Sequence, residues 1–258
     1  MINTIRADFF RLFRSKGFYI TQLLLIALVA LSILTKSLGS SGMSLEQLTA
    51  FQINLQDATW NSYQTVIAMS TMAAFLMYFC LPLFVMVLGY DLTKKTYKNQ
   101  LAVGISRKEF FLSKYIIFLL VSALQFLFYY FFTFLTAGIR YGFGTAPDHF
   151  WLDFLRMILI QFIAFQAIFT IGLFFLLLTF SNVAAIIAVI VGGLVTGIFT
   201  AIFPNADWLK YLDFQSNLNL AWLQEMPDHY WFKAIVTACL FSVIVLLAAY
   251  QLFRKRDL

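Results

Sequence analysis

The chain has 258 residues, 62% of them hydrophobic and only 12% charged, and its mean hydropathy is +0.84. Soluble domains carry roughly 25% charged residues, so this composition excludes a soluble globular fold and predicts an all-α integral membrane protein, residues 1–258 forming one domain. The formal net charge of +6 is spread around apolar runs and does not form a nucleic-acid surface, so no nucleic-acid partner is expected.

At the amino end, Ile2, Ile5, Phe9 and Phe13 recur at helical spacing with Arg6, Arg11 and Arg14 among them. The pattern predicts an amphipathic helix lying in the headgroup layer. The charge-free run Gly17–Thr35, bounded by Lys16 and Lys36, predicts a first span over 17–36. Beyond it, Ser44-Leu45-Glu46-Gln47 has capping-box spacing, and Leu45, Leu48, Phe51 and Leu55 share a helical face, which predicts a short amphipathic helix in the outer loop. The uncharged run Ala58–Tyr90 exceeds one crossing and predicts a second span over 65–90.

The loop 91–114 follows. Gly104 permits a turn, and Ser106 with Glu109 has capping-box spacing ahead of the apolar run Phe110–Leu120. Thr96–Val103 is expected to form a short surface helix, a lever hung between two long spans. Tyr115–Ile139, between Lys114 and Arg140, predicts a third span over 114–136. The most constraining stretch is Met157–Ala206, fifty residues without a charge. As one helix it would rise ~75 Å, against ~30 Å for a hydrocarbon core, so it must cross twice. Its polar break, Thr179-Phe180-Ser181-Asn182, predicts the reversal between spans at 156–180 and 183–203. Asp207–Leu212 opens another short amphipathic piece in an outer loop, and Ala234–Phe253 predicts the sixth span, 232–253.

Six spans place both ends on one side. That side would hold 13 of the 18 basic residues, including Lys94, Lys95, Lys98, Arg107, Lys108 and Lys114, with only Asp8, Asp91, Glu109 and Asp257 as acids. The positive-inside rule makes it cytoplasmic, and its excess charge is expected to contact anionic membrane lipids.

The segment Thr96-Tyr97-Lys98-Asn99-Gln100-Leu101, followed by Gly104-Ile105-Ser106-Arg107 and Lys114, resembles the coupling loop of type-two ABC exporter permeases. Asp91 stands where that family carries an acid, often Glu, and Gly104 stands where Pro is commoner. Six spans, the amphipathic amino-terminal helix, helical pieces before the last span and a basic tail are also similar to that family. The resemblance implies that a separate cytoplasmic ATP-binding cassette subunit, carrying ATP and Mg, docks beneath the amino-terminal helix and this loop. The contacts would fall on Asp91, Lys94, Lys95, Thr96, Tyr97, Asn99, Leu101, Gly104, Ser106, Arg107 and Lys108. It further implies a second permease, identical or a sister chain, and a prokaryotic cell membrane.

No G-x-x-x-x-G-K-[ST] phosphate loop occurs in the chain, so no ATPase activity, cofactor or metal is expected on it. His149 and His229 lie outside any metal-ligand spacing, and Cys80 and Cys239 sit in apolar runs as membrane-buried thiols. No catalytic residue is expected. Gln22, Gln125, Gln161 and Gln166 are neutral polar groups within spans, which either bond to neighbouring helices or line a pathway. A pathway rich in Phe and free of charge fits an amphipathic or hydrophobic cargo such as a peptide, a peptide antibiotic or a lipid. Gly193-Leu194-Val195-Thr196-Gly197 allows close helix packing, within the chain or between permeases. Trp60, Trp151, Trp208, Trp222 and Trp231 are expected to form an aromatic belt. A carrier or channel without ATP, or a membrane anchor or sensor, are the competing readings. The first calls for ionisable residues within the spans, which the runs lack.

Overall fold

The computed structural model describes residues 2–37, 60–203, 206–220, 222 and 229–255. About 86% of it is helical, with no strand among the described residues. The predicted helix at Ser44–Leu55 lies outside them.

Helix α1 (Ile2–Arg14) ends at Ser15, whose hydroxyl accepts from the Phe18 backbone N–H at 3.2 Å and so caps α2 (Lys16–Thr35). A serine cap between the two helices lets the chain turn from α1 into the first long apolar helix. The predicted second span is not one uniform helix. It consists of α3 (Ser62–Ser70), a turn at 71–74, and α4 (Phe75–Thr93). Through the turn, backbone N–H groups bond three residues back instead of four, as in Met72 to Met69 at 3.0 Å. Near the other end of α4 the winding loosens into a π-helical segment, Val85–Gly89, just beyond Pro82. Gly89 lies in that segment, and a Cβ there would sit 2.2 Å from Asn182 Oδ1, so only glycine allows this approach.

A short helix α5 (Tyr97–Ala102) precedes α6 (Arg107–Tyr141), whose 35 residues span ~52 Å and so project beyond a bilayer core. Then come α7 (Phe150–Thr179), α8 (Asn182–Ile202), a 3-10 turn at Asp207–Leu212, α9 (Phe214–Leu220) and α10 (Tyr230–Lys255). Among the described residues, α2, α4, α6, α7 and α10 are long and apolar enough to cross a membrane. The helix α8 coincides with the predicted fifth span.

Two helices organise the packing. Helices α1, α2 and α3 lie on α6, while α8, α9 and α10 lie on α7. Aromatic pairs join the halves: Phe126 meets Phe165 edge-on at 5.2 Å, and Phe118 meets Phe169 at 5.0 Å. The piece after Asp207 is not confined to an outer interface as the sequence predicts. Phe214, Leu218, Gln215, Asn217 and Asn219 of α9 are all buried, because α9 folds inward against α7. Trp222 is half-buried, its ring packed against Phe150 at 5.3 Å. Trp151 and Trp208 are exposed as predicted.

Candidate functional site: the basic end of the bundle

Four charged side chains from three helices meet at the end of the bundle where α1 and the last turn of α10 lie. One turn of α1 places Asp8 and Arg11 on the side facing α6. Arg11 donates to both carboxylate oxygens of Asp91 at 2.8 and 3.0 Å, and lies 3.1 Å from Asp8. Lys114, two turns into α6, donates from Nζ to Asp8 Oδ2 at 2.6 Å and also to Asp91 Oδ2. Thr96 completes the shell, donating from Oγ1 to Asp91 Oδ1 at 3.0 Å. Asp8, Asp91 and Lys114 are buried, at 6%, 2% and 2% exposure.

Two acids against two bases leave no net charge, so every buried ion has a counter-ion, the condition under which burial of charge is tolerated. The hydrogen bond to Asp91 raises the Arg11 pKa above its ordinary value against the opposing effect of burial. The cluster ties α1, the end of α4 and the start of α6 into one unit.

The loop beyond Asp91 is fixed from the other side. The backbone turns at Lys95 (φ +57°) and again at Gly104 (φ +98°), a left-handed conformation that favours glycine. Ser106 then caps α6 by accepting from the Glu109 N–H at 3.1 Å, as its spacing predicts. Between the turns, Tyr97 is buried. Its ring stacks on Phe180 at 5.8 Å with an interplanar angle of 8°, and also meets Phe253 at 5.7 Å and Phe110 at 6.3 Å. Phe180 is the reversal residue between α7 and α8 and adopts φ +52°, unfavourable for a bulky side chain. Arg107 donates to the Arg254 carbonyl at 2.6 Å and the Phe253 carbonyl at 3.4 Å, satisfying the carboxyl end of α10. The short helix is therefore joined to α4, α6, the α7–α8 reversal and α10.

The predicted partner contacts divide into two sets. Asp91, Thr96, Tyr97 and Arg107 are engaged within the chain, and Leu101 is half-buried against the core. Lys94, Lys95, Asn99, Gly104, Ser106 and Lys108 are exposed, as are Lys98 and Val103. Sequence reasoning missed Asp8, Arg11, Phe180 and Phe253 as members of the site. The only signals were the three-residue spacing of Asp8 and Arg11 and the lone charges Asp91 and Lys114 at the edges of apolar runs.

The four glutamines all lie at helix interfaces. Gln161 is fully buried. It accepts from Tyr130 Oη at 2.5 Å and donates to the Ser70 and Leu218 carbonyls at 3.0 and 2.6 Å. It thereby serves a carbonyl of the tightened turn after α3, alongside Tyr129, which donates to the Met69 carbonyl at 2.7 Å. Irregular backbone inside a bilayer needs such partners. Gln166 donates to Ser122 Oγ at 2.6 Å, and Gln22 to Gln125 Oε1 at 2.8 Å. Cys80 is buried in α4 and Cys239 is exposed on α10, both as free thiols. Among the described residues no three His, Cys, Asp or Glu side chains are grouped to hold a metal ion.

Five helices long and apolar enough to cross a membrane, with no strand among the described residues, define a multi-pass membrane protein. The chain belongs to the family described as protein of unknown function DUF2705, whose model matches residues 23–258. The match begins within α2, so Asp8 and Arg11 precede it. No curated protein and no solved structure matches the chain.

Proposed function

We propose that the chain is the permease subunit of an ATP-driven exporter of the type-two ABC class, with six spans and both ends in the cytoplasm of a prokaryotic cell. A separate ATPase subunit would supply ATP binding and hydrolysis, and a second permease, identical or a sister chain, would complete the pathway. One observation carries this reading: the segment Asp91–Arg107 is bonded inward at Thr96, Tyr97 and Arg107 while Lys94, Lys95, Lys98 and Lys108 point outward. A load applied to the exposed face of α5 therefore reaches α4 and α6 through Asp91, and reaches α7, α8 and α10 through the rings of Phe180 and Phe253. A helix that served topology alone would need none of these attachments.

The buried charges also favour this over a carrier driven by ions. They sit at one end of the bundle, already paired, where they offer no titrating step along a pathway. The interior presents neutral amides among phenylalanines, which suits an amphipathic or hydrophobic cargo such as a peptide, a peptide antibiotic or a lipid.

Affinity purification of the full chain in mild detergent, with mass spectrometry and ATP turnover of what is recovered, tests the reading. Recovery of a soluble ATPase with a phosphate loop, its turnover raised by amphipathic peptides or lipids, supports it. Recovery of the folded chain alone contradicts it.

A further inference from the structure

A groove of about 690 Å3 runs along the seam between α2 and α6 and ends at Leu12 and Phe13 of α1. Its α6 wall extends from Val121 to Phe131, a rise of ~15 Å, which is one leaflet of a hydrocarbon core ~30 Å thick. The lining is apolar apart from Gln22 and Gln125, and Tyr19, Leu124 and Phe131 leave it open to the surrounding lipid. Within this lining, Gln22 donates to Gln125 Oε1. Gln125 is only 3% exposed, yet its Nε2 has no hydrogen-bond partner among the described residues. With both amides reversed the orphan on Gln125 would be Oε1 and the surplus NH2 would sit on Gln22, which also lines the groove, so the pair offers a donor there in either setting. The site therefore presents a desolvated donor beside an apolar trough, and hydrocarbon cannot satisfy it.

The depth of that donor identifies its acceptor. Gln22 lies ~9 Å along α2 from Lys16. The polar layer on each side of a bilayer is ~5–8 Å thick. With the exposed Arg14 and Lys16 among the phosphates, the glutamine pair stands about 1–4 Å past the inner edge of that layer, next to the glycerol ester carbonyls that border the hydrocarbon.

We infer that this groove holds one glycerophospholipid with an anionic headgroup. Its phosphate sits at Arg14 and Lys16, an ester carbonyl accepts from the glutamine pair, and one acyl chain lies along Leu124, Phe128 and Phe131. The inference does not depend on ATP-driven transport. It concerns a resident lipid, which a channel or anchor could equally hold.

The test is native mass spectrometry of the purified full chain after exchange into detergent containing dioleoyl phosphatidylglycerol or dioleoyl phosphatidylcholine. The wild-type chain should retain one phosphatidylglycerol per chain in preference to phosphatidylcholine. Leu124→Trp, which fills the groove from an exposed position, should lose it. Leu240→Trp, exposed on α10 away from the groove, should keep it. Arg14→Gln should retain a lipid but reduce the headgroup preference about fivefold, the effect of one basic residue at an anionic surface. Equal retention in Leu124→Trp and wild type would overturn the site. Equal binding of the two lipids by the wild type would overturn the headgroup assignment. A lipid-free dimer that Leu124→Trp converts to monomer would assign the groove to a second copy instead.

Discussion

Arg11 grips both carboxylate oxygens of Asp91 across eighty residues of sequence, at 2.8 and 3.0 Å, and Lys114 donates to one of them, Oδ2. The amino-terminal helix is thus fastened to the root of the loop that carries α5, so movement of one is transmitted to the other.

Removing one partner from this cluster should cost more than a surface ion pair would. Lys114→Met leaves Asp8 and Asp91 buried with Arg11 alone, and breaking a buried pair costs about 3–5 kcal/mol. Arg11→Gln should cost less, because the Arg11 side chain is 41% exposed and water replaces part of the interaction. Thermal unfolding of both variants in one detergent should rank Lys114→Met as the less stable.

The Tyr97 ring, rather than its hydroxyl, makes the contacts with Phe180, Phe110 and Phe253. Tyr97→Phe should therefore match the wild type, whereas Tyr97→Ala should lose about 3–5 kcal/mol, as expected for a large aromatic cut to alanine in a packed site. In a complex with the proposed ATPase subunit, Tyr97→Ala should also separate ATP hydrolysis from transport, which parallel assays of the two would detect.

Phe180 offers a reversal of the usual order of alanine and glycine. Both substitutions remove the stack on Tyr97, but only glycine relieves the left-handed backbone at φ +52°, a relief of about 1–2 kcal/mol. Phe180→Gly should be more stable than Phe180→Ala. The opposite order in thermal unfolding would show that the reversal is not strained.

Gln161 makes three hydrogen bonds across the bundle and Gln166 makes one. At about 0.6 kcal/mol per interhelical bond in a membrane, Gln161→Leu should cost about 2 kcal/mol and Gln166→Leu about a third of that. Unfolding free energies of the two variants, measured in mixed micelles, check the difference.

Much of this fold is legible in the residues themselves. The helices α2, α6, α7, α8 and α10 follow from uncharged runs. Ser106 caps α6 where its spacing predicts, and Ser181, within the polar break between two spans, caps α8 by accepting from the Ala184 N–H at 3.4 Å. What stays hidden depends on distant partners. Nothing in the apolar run 65–90 marks the tightened turn at 71–74, where the Met69 and Ser70 carbonyls leading into it also accept from Tyr129 and Gln161 on other helices. The burial of α9 is equally illegible: Gln215, Asn217 and Asn219 read as surface residues until α7 covers them. At the candidate site, counting charges predicts an orientation but ignores pairing, so Asp8 and Lys114 register only as members of a basic flank.

The most direct test of the central claim is photo-crosslinking from position 98 on the exposed face of α5, with a benzophenone amino acid in place of Lys98, in living cells. The account predicts an adduct to a soluble ATPase bearing a phosphate loop, present with wild-type Tyr97 and diminished in Tyr97→Ala. Adducts to lipid alone at position 98, with a normally folded and inserted chain, would contradict it.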